Sequence, residues 1–147
     1  MKTSTLQVLV VDDCEPFRQR ICRILREKLD VRMIREAGDG LAAIEQAEKW
    51  QPDLIVLDIG LPKLNGLEAA TRIITLSPLS KILFMSQESC VEVVKEALKL
   101  GAYGYVVKSD AGADLLTAVN SILGGERFLG SRFADHDFTC PATSGTP

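Results

Sequence analysis

Three aspartates, a serine and a lysine stand directly after short apolar segments of this sequence. They are Asp12 and Asp13 after Leu6–Val11, Asp58 after Leu54–Leu57, Ser86 after Lys81–Met85, and Lys108 after Tyr103–Val107. If these segments are parallel strands, their carboxyl ends share one edge of a sheet, where ligands of open α/β sheets bind. The spacing therefore predicts one site with three carboxylates, a hydroxyl and an ammonium group.

This combination of groups favours phosphoryl chemistry. Three carboxylates close together repel one another, and each resists ionisation. Mg²⁺ would relieve the repulsion, because it binds few carboxylates, keeps several waters and can be shared with a phosphate. One carboxylate can then attack phosphorus and form an acyl phosphate, while Lys108 and Ser86 contact the phosphoryl oxygens. Asp58 is the best candidate nucleophile, because it stands alone between the acid pair and Ser86 in the predicted strand order.

The elements that must position these residues alternate along the chain. Short apolar runs are separated by segments of helical periodicity, such as Pro16–Leu29, which gives five βα units. This alternation predicts an α/β fold, a doubly wound five-stranded parallel sheet with helices on both faces. We predict the strand order 2-1-3-4-5, because the second run is the least apolar and the first and third suit the centre.

The composition is that of an ordinary globular domain. The chain has 147 residues, 46% hydrophobic and 25% charged, with a formal net charge of −3. It lacks the basic excess of a nucleic-acid-binding domain, and no apolar run has the roughly 20 residues of a transmembrane helix. We expect a cytoplasmic protein with reduced thiols and no membrane partner. The cysteines form no Cys-x-x-Cys pair, which argues against a zinc site, and Cys22 and Cys90 are predicted to be small core residues.

The chain divides into two parts by periodicity. Residues 1–130 contain all the predicted strands and helices and are expected to form the folded domain. Residues 131–147 lack periodicity and end in Pro-Ala-Thr-Ser-Gly-Thr-Pro, which is typical of a linker or disordered tail.

Four groups of residues keep a fixed spacing along the chain. They are Val10-Val11-Asp12-Asp13, Asp53 to Leu67, Phe84-Met85-Ser86, and Gly101 to Lys108. As a set they resemble the receiver domain of two-component response regulators, which has a flavodoxin-like fold. The resemblance runs from about Leu6 to Gly125 without a large insertion.

The resemblance implies a role for each residue of the site. It implies that Asp58 is the phosphoacceptor of a sensor histidine kinase, with Lys108 and Ser86 as the other catalytic groups. Mg²⁺ would be bound by Asp13, Asp58 and the backbone carbonyl of Gly60, with Asp12 holding metal-bound water. Ser86 and Tyr105 match the switch hydroxyl and the switch aromatic, so that Tyr105 moves inward on phosphorylation and the face of the fourth helix, fifth strand and fifth helix changes. Access to Asp58 and the lifetime of the phosphate would be tuned by Gly60, Gln87 and Glu88.

The motif Gly101-Ala102-Tyr103-Gly104-Tyr105 and the segment Gly124 to Ser131 most resemble the LuxR/NarL-type subfamily. Those proteins carry a C-terminal helix-turn-helix domain, and no such domain follows Gly130. The resemblance therefore implies transcriptional regulation, with DNA bound only through a domain absent from this chain, and a homodimer on phosphorylation.

Three other interpretations remain open at this point. A phosphate-independent interaction module with a receiver fold is supported by the long side chain of Gln87, which can narrow access to Asp58. Gly38 to Ala43 fits a dinucleotide-binding pattern, but in the second βα unit instead of the first. A phosphatase of the haloacid dehalogenase type would want a second aspartate where this chain has Gly60.

The basic residues of the first helix also have two interpretations. They form either a solvated face or a docking surface for an acidic partner, and they are Arg18, Arg20, Arg23, Arg26 and Lys28.

Overall fold

The structure is a computed structural model that describes residues 5–87, 89–130 and 133 of the chain. Its strands are β1 (Gln7–Val11), β2 (Met33–Ala37), β3 (Leu54–Leu57), β4 (Lys81–Ser86), β5 (Gly104–Val107) and β6 (Phe128–Leu129). Its α-helices are α1 (Glu15–Lys28), α2 (Gly40–Trp50), α3 (Gly66–Leu76), α4 (Val91–Leu100) and α5 (Ala111–Leu123). A 3₁₀ turn at Lys108–Asp110 joins β5 to α5.

The strands form one parallel sheet in the order β2-β1-β3-β4-β5-β6. The predicted order 2-1-3-4-5 is confirmed, and the two-residue strand β6 extends the sheet beyond β5. Val11 of β1 pairs with Leu57 of β3, and Leu57 pairs with Phe84 of β4. The carboxyl ends of these central strands are therefore nearly level, and the residues that follow them meet at one edge.

Helices cover both faces of the sheet because the central strands are apolar on both faces. All four residues of β3 are buried, as expected for a strand inside a parallel sheet. One core cluster joins α2, α3 and α4 to one face and includes Phe84 and Tyr105. The other joins α1 and α5 to the opposite face and includes Ile21 and Leu115. The two clusters hold the strand ends in fixed positions.

The loops beside the carboxyl ends are fixed by helix caps and by a close backbone contact. Asn65 accepts a hydrogen bond from the N–H of Glu68 at 3.0 Å, and Asp39 accepts one from Ala42 at 2.8 Å. Such side chains satisfy N–H groups that the start of a helix leaves unpaired. Gly66 packs so closely that a Cβ there would lie 2.1 Å from the backbone oxygen of Asp58. Only glycine fits this position, which brings α3 against the loop after β3.

The cysteines differ in burial. Cys22 is buried on α1, as predicted, and burial together with the charge of Glu36 raises the pKa of its thiol to about 11. Cys90 is exposed, so its predicted core position is wrong. It is the residue that precedes the first turn of α4, outside the apolar stripe of that helix. Among the described residues, no helix is both long and apolar enough to cross a membrane.

Phe133 lies beyond the predicted domain boundary at residue 130 and is nevertheless buried, with 3% of its surface exposed. Its ring packs edge-on against the ring of Tyr105, with centroids 5.9 Å apart. The remaining residues of the predicted linker or tail, 131–132 and 134–147, lie outside the part of the chain that the structure describes. The boundary at residue 130 stays a prediction.

Candidate functional site

The three aspartates of the predicted site meet at the carboxyl edge of the sheet. Carboxylate oxygens of Asp12, Asp13 and Asp58 all lie within 4.8 Å of one another. Asp12 and Asp58 are buried, whereas Asp13 is exposed. The loops after β1 and β3 therefore bring together the groups that the sequence placed there.

Backbone hydrogen bonds continue the sheet into these loops. The N–H of Asp58 donates to the carbonyl of Val11 at 3.0 Å, and the N–H of Asp12 donates to the carbonyl of Ala37 at 3.1 Å. The side chains then accept hydrogen bonds from their own loops: Asp58 Oδ1 from the N–H of Gly60 at 3.1 Å and Asp12 Oδ1 from the N–H of Cys14 at 2.8 Å. These hydrogen bonds restrain the orientation of each buried carboxylate.

Lys108 follows β5 and reaches back across the edge to both buried carboxylates. Its Nζ lies 2.7 Å from Asp12 Oδ2 and 3.2 Å from Asp58 Oδ2. The ring of Phe17 lies 4.8 Å from the same Nζ, within the range of a cation–π contact. Burial alone would lower the pKa of Lys108, but the hydrogen bond to Asp12 and the charges of Asp58 and Asp12 raise it overall.

The surroundings of Asp58 disfavour its charged form. Burial raises the pKa of its carboxyl group above the ordinary value; the charge of Lys108 opposes this shift, and the charge of Asp12 adds to it. A buried carboxylate needs a nearby positive charge to stay ionised. Lys108 supplies part of that charge.

The other predicted residues surround a cavity of about 320 Å³ above the carboxylates. Ser86 is buried at the end of β4, and the exposed Gln87 and Gly60 line the same cavity. Gln87 therefore lines the same cavity as Asp58. Glu88 lies outside the described residues, and its tuning role stays a prediction.

Tyr105 lies on β5 and is completely buried. Its ring packs against Phe84 on one side, with centroids 6.4 Å apart, and against Phe133 on the other. The sequence predicts that this ring turns inward on phosphorylation. In this structure the ring of Tyr105 is itself already buried.

The burial of Arg18 was not predicted from the sequence. Of the five basic residues of α1, Arg20, Arg23, Arg26 and Lys28 are exposed, as expected of a solvated face. Arg18 is instead half-buried, pairs with Glu36 of β2 and donates to the backbone oxygen of Asp12. Helical periodicity separates the core face from the solvent face, but it does not show that the first turn of α1 faces the end of β1.

The glycine-rich loop before α2 does not resemble a phosphate site. A Cβ on Gly40 would lie 2.1 Å from the backbone oxygen of Leu64, so this glycine serves close packing between two loops. The carboxylate of Asp39 caps the start of α2, where a dinucleotide pyrophosphate would have to bind. The structure therefore argues against the dinucleotide interpretation.

The carboxylates fit a hard divalent cation. They offer only oxygen ligands, they are clustered closely enough to share one ion, and one of them is open to solvent. Oxygen ligands in small number with room for water are what Mg²⁺ prefers.

Comparisons with known proteins agree with this site. A family model described as the response regulator receiver domain matches residues 8–120. The nitrate/nitrite response regulator protein NarL of Escherichia coli strain K12 is 35% identical over 122 residues, or 83% of this chain and 56% of NarL. Protein CcdB of Bacillus subtilis strain 168 is 36% identical over 118 residues, or 80% of this chain and 98% of CcdB. The crystal structure of a LuxR-family two-component response regulator from Aurantimonas sp. SI85-9A1 superimposes with a TM-score of 0.84 at 30% identity, covering 89% of this chain and 94% of that one.

The matches extend over very different shares of these relatives. The chain spans about half the length of several curated relatives, 52% and 57% in two transcriptional regulators, but nearly all of CcdB. What the shared part has in common is the receiver domain. The expected likeness to LuxR/NarL-type regulators is confirmed for that part. By its sequence match and its strand order, the chain belongs to the response regulator receiver domain family, whose members are signalling domains and not enzymes.

Proposed function

We propose that this chain is a phosphoacceptor receiver domain in which Asp58 takes a phosphoryl group from a sensor histidine kinase. The observation that carries the proposal is the placement of Lys108 Nζ between Asp58 and Asp12 at the carboxyl edge, beside the exposed Asp13. This arrangement supplies a nucleophile, a cation for the phosphoryl oxygens and ligands for a metal in one place.

The phosphoryl transfer follows from these positions. A carboxylate oxygen of Asp58 attacks the phosphorus of a phosphohistidine, forming an O–P bond as the N–P bond breaks, and the electron pair of that bond goes to the imidazole nitrogen. Lys108 leaves Asp58 Oδ2 and contacts a phosphoryl oxygen, and the hydroxyl of Ser86 donates to another. Asp13, Asp58 and the Gly60 carbonyl are the proposed Mg²⁺ ligands, with Asp12 holding metal-bound water. When bound, Mg²⁺ would neutralise charge on the phosphoryl oxygens.

The proposed output of the switch is a change at the face formed by α4, β5 and α5. Movement of Lys108 and Ser86 toward the phosphoryl group pulls on the ends of β5 and β4, and Tyr105 lies on β5 among Phe84 and Phe133. A change at that aromatic group biases the face between two arrangements. We propose that the phosphorylated face supports a homodimer, that the pathway regulates transcription, and that DNA is bound by residues outside the receiver domain.

The phosphate lifetime is proposed to depend on Gly60, Gln87 and Glu88. Gln87 stands at the cavity that a phosphodonor must enter, so its side chain restricts both the donor and the water that would hydrolyse the acyl phosphate.

The proposal is tested with acetyl phosphate as the donor. Wild type, Asp58→Asn and the exposed control Asp30→Asn are incubated with acetyl phosphate with and without Mg²⁺, and their intact masses are read at short times. We expect one phosphoryl adduct in wild type and in the control, only with Mg²⁺, and none in Asp58→Asn. An adduct of equal amount in Asp58→Asn would show that another residue is the acceptor.

The second candidate is a phosphate-independent interaction module, and the observation in its favour is that Gln87 lines the cavity over Asp58. It predicts no adduct in wild type and no Mg²⁺ binding at millimolar concentration. Adduct formation would exclude it.

A further inference from the structure

Arg18 links three elements beside the acid pair. Its Nε donates to Glu36 Oε1 at 2.7 Å, and its Nη1 donates to the backbone oxygen of Asp12 at 2.6 Å. Both side chains are largely shielded, with 16% of Arg18 and 28% of Glu36 exposed. One guanidinium group therefore connects α1, β2 and the loop after β1, a two-sided contact suited to the planar fork of arginine.

The backbone of Asp12 is held at both of its polar groups. Its N–H donates to the carbonyl of Ala37 at 3.1 Å, and its carbonyl accepts from Arg18. The Asp12 carbonyl belongs to the planar peptide that leads into Asp13, so holding it constrains the backbone from which both carboxylates enter the cluster. Arg18 acts on the acid pair without contacting either carboxylate.

Glu36 is in turn anchored on its strand. Gln19 Nε2 donates to Glu36 Oε1 at 3.3 Å, and Gln46 Nε2 donates to the backbone oxygen of Glu36 at 3.0 Å. The Arg18–Glu36 pair is thus a fixed support with no net charge, placed next to a cluster of three carboxylates.

We propose that the Arg18–Glu36 pair is a positioning unit that holds the Asp12–Asp13 peptide in the orientation needed to bind a divalent cation. The inference rests on the proposed function, because it assumes that this cluster is a Mg²⁺ site. Groups that orient metal ligands without touching the metal typically contribute about tenfold or more to its affinity.

A positioning role and a simple effect of charge predict different results. Arg18→Met leaves the Glu36 carboxylate unpaired near the cluster, so charge alone would strengthen Mg²⁺ binding. Glu36→Gln leaves the guanidinium unpaired, so charge alone would weaken it. Loss of positioning weakens binding in both variants and also in the charge-neutral double variant.

The experiment measures the Mg²⁺ dissociation constant by isothermal titration calorimetry. The proteins are wild type, Arg18→Met, Arg18→Lys, Glu36→Gln, the double variant, and Arg23→Met as an exposed arginine of the same helix. Circular dichroism shows at which temperature every variant is folded, and all titrations are done there. We expect affinity to fall by about tenfold in Arg18→Met and the double variant, and to fall also in Arg18→Lys, because one ammonium group cannot make both contacts. Arg23→Met should bind as wild type does.

A second readout separates positioning from general damage to the fold. The rate of phosphorylation by acetyl phosphate is measured against Mg²⁺ concentration. Positioning predicts that the variants need more Mg²⁺ but approach the wild-type rate at saturation, whereas damage to the site would lower the rate at saturation as well and would overturn the proposal.

The other outcomes are also decisive. Wild-type affinity in the double variant, tighter binding in Arg18→Met, or full rescue by Arg18→Lys would each overturn the positioning role and leave the proposed function intact. Absence of Mg²⁺ binding in wild type would instead contradict the proposed function, and this inference with it.

Discussion

At the scale of single residues, Lys108 and Asp58 affect each other's ionisation. Burial opposes ionisation of Asp58, and Lys108 is the group that opposes that effect most strongly. The same lysine is held in its charged form by Asp12 and Asp58. The nucleophile therefore depends on the lysine even before any phosphoryl group arrives.

The first prediction concerns the titration of Asp58. Lys108→Met removes the cation that lowers the pKa of Asp58, so we expect its carboxyl group to titrate at a higher pH than in wild type. The measurement is the carboxyl ¹³C chemical shift of Asp58 against pH without Mg²⁺. Lys95→Met, an exposed change on α4, should leave the midpoint where it is. A midpoint that does not rise in Lys108→Met would mean that the lysine does not act on Asp58.

The second prediction concerns stability and pH. Because the pKa of Asp58 is raised in the folded state, its ionisation costs stability as pH rises through that pKa, and the cost is absent at pH values low enough to protonate it in both states. Asp58→Asn should therefore unfold at a higher temperature than wild type at pH 7, and the difference should shrink as the pH falls. Thermal unfolding followed by circular dichroism at several pH values tests this. A difference in unfolding temperature that grows as the pH falls would contradict the prediction.

The third prediction concerns Gly66. A Cβ at this position would collide with the backbone of Asp58, so Gly66→Ala should lower the free energy of unfolding by about 1–3 kcal/mol. Gly112→Ala, at an exposed position in the first turn of α5 where a Cβ would meet only Arg20 at an ordinary contact distance of 3.7 Å, is the matched control and should be neutral or stabilising. Urea unfolding of both variants provides the comparison, and equal stability of the two would contradict the close contact.

The sequence predicts which residues at the strand ends come together. It does not predict which residues of α1 contact them. Asp12, Asp13, Asp58, Ser86 and Lys108 could be placed together because the direction of a parallel strand fixes where its last residue points. Arg18 and Phe17 could not, because their contacts depend on how the start of α1 is set against the loops after β1 and β5. Helical periodicity does not contain that information.

At the scale of elements, the main addition to the predicted fold is β6. The N–H of Phe128 donates to the carbonyl of Tyr103 and the N–H of Gly130 donates to the carbonyl of Tyr105, both at 2.9 Å. Two residues are too few to show strand alternation, which explains why β1 to β5 and the helices were predictable and β6 was not. The pairing brings Phe133 onto Tyr105.

The fourth prediction concerns that aromatic contact. Phe133→Ala removes a buried ring from the neighbourhood of Tyr105, and we expect a loss of about 3 kcal/mol in the free energy of unfolding. Phe128→Ala, at a half-buried position on β6, should cost less. Urea unfolding gives the energies, and near-ultraviolet circular dichroism should report the change around Tyr105. A loss no larger than that of Phe128→Ala would show that Phe133 adds little to the core.

At the scale of the whole molecule, β5 runs from the aromatic group around Tyr105 to the carboxyl edge that carries Lys108. Lys108 follows the last residue of β5, Tyr105 lies within it, and β6 pairs with it. The doubly wound arrangement was predictable from the alternation of elements, since few strand orders satisfy right-handed crossovers.

The fifth prediction is that phosphorylation changes the assembly state. Sedimentation velocity of the protein with acetyl phosphate and Mg²⁺ should show a shift from monomer toward dimer, because a phosphorylated site biases the face formed by α4, β5 and α5. Asp58→Asn under the same conditions is the control and should not shift. A dimer fraction that is equal in the two proteins would show that dimerisation does not depend on phosphorylation of Asp58.

The pairing of β6 with β5 also determines where the chain can be shortened. All four residues of β5 are buried, and its first two residues, Gly104 and Tyr105, pair with β6. A chain ending at Gly125 would leave this apolar strand as an open edge, and an unpaired edge of that kind is a template for strands of other molecules. We therefore expect such a truncated chain to aggregate in proportion to its concentration, whereas a chain that keeps residues through Phe133 stays dispersed.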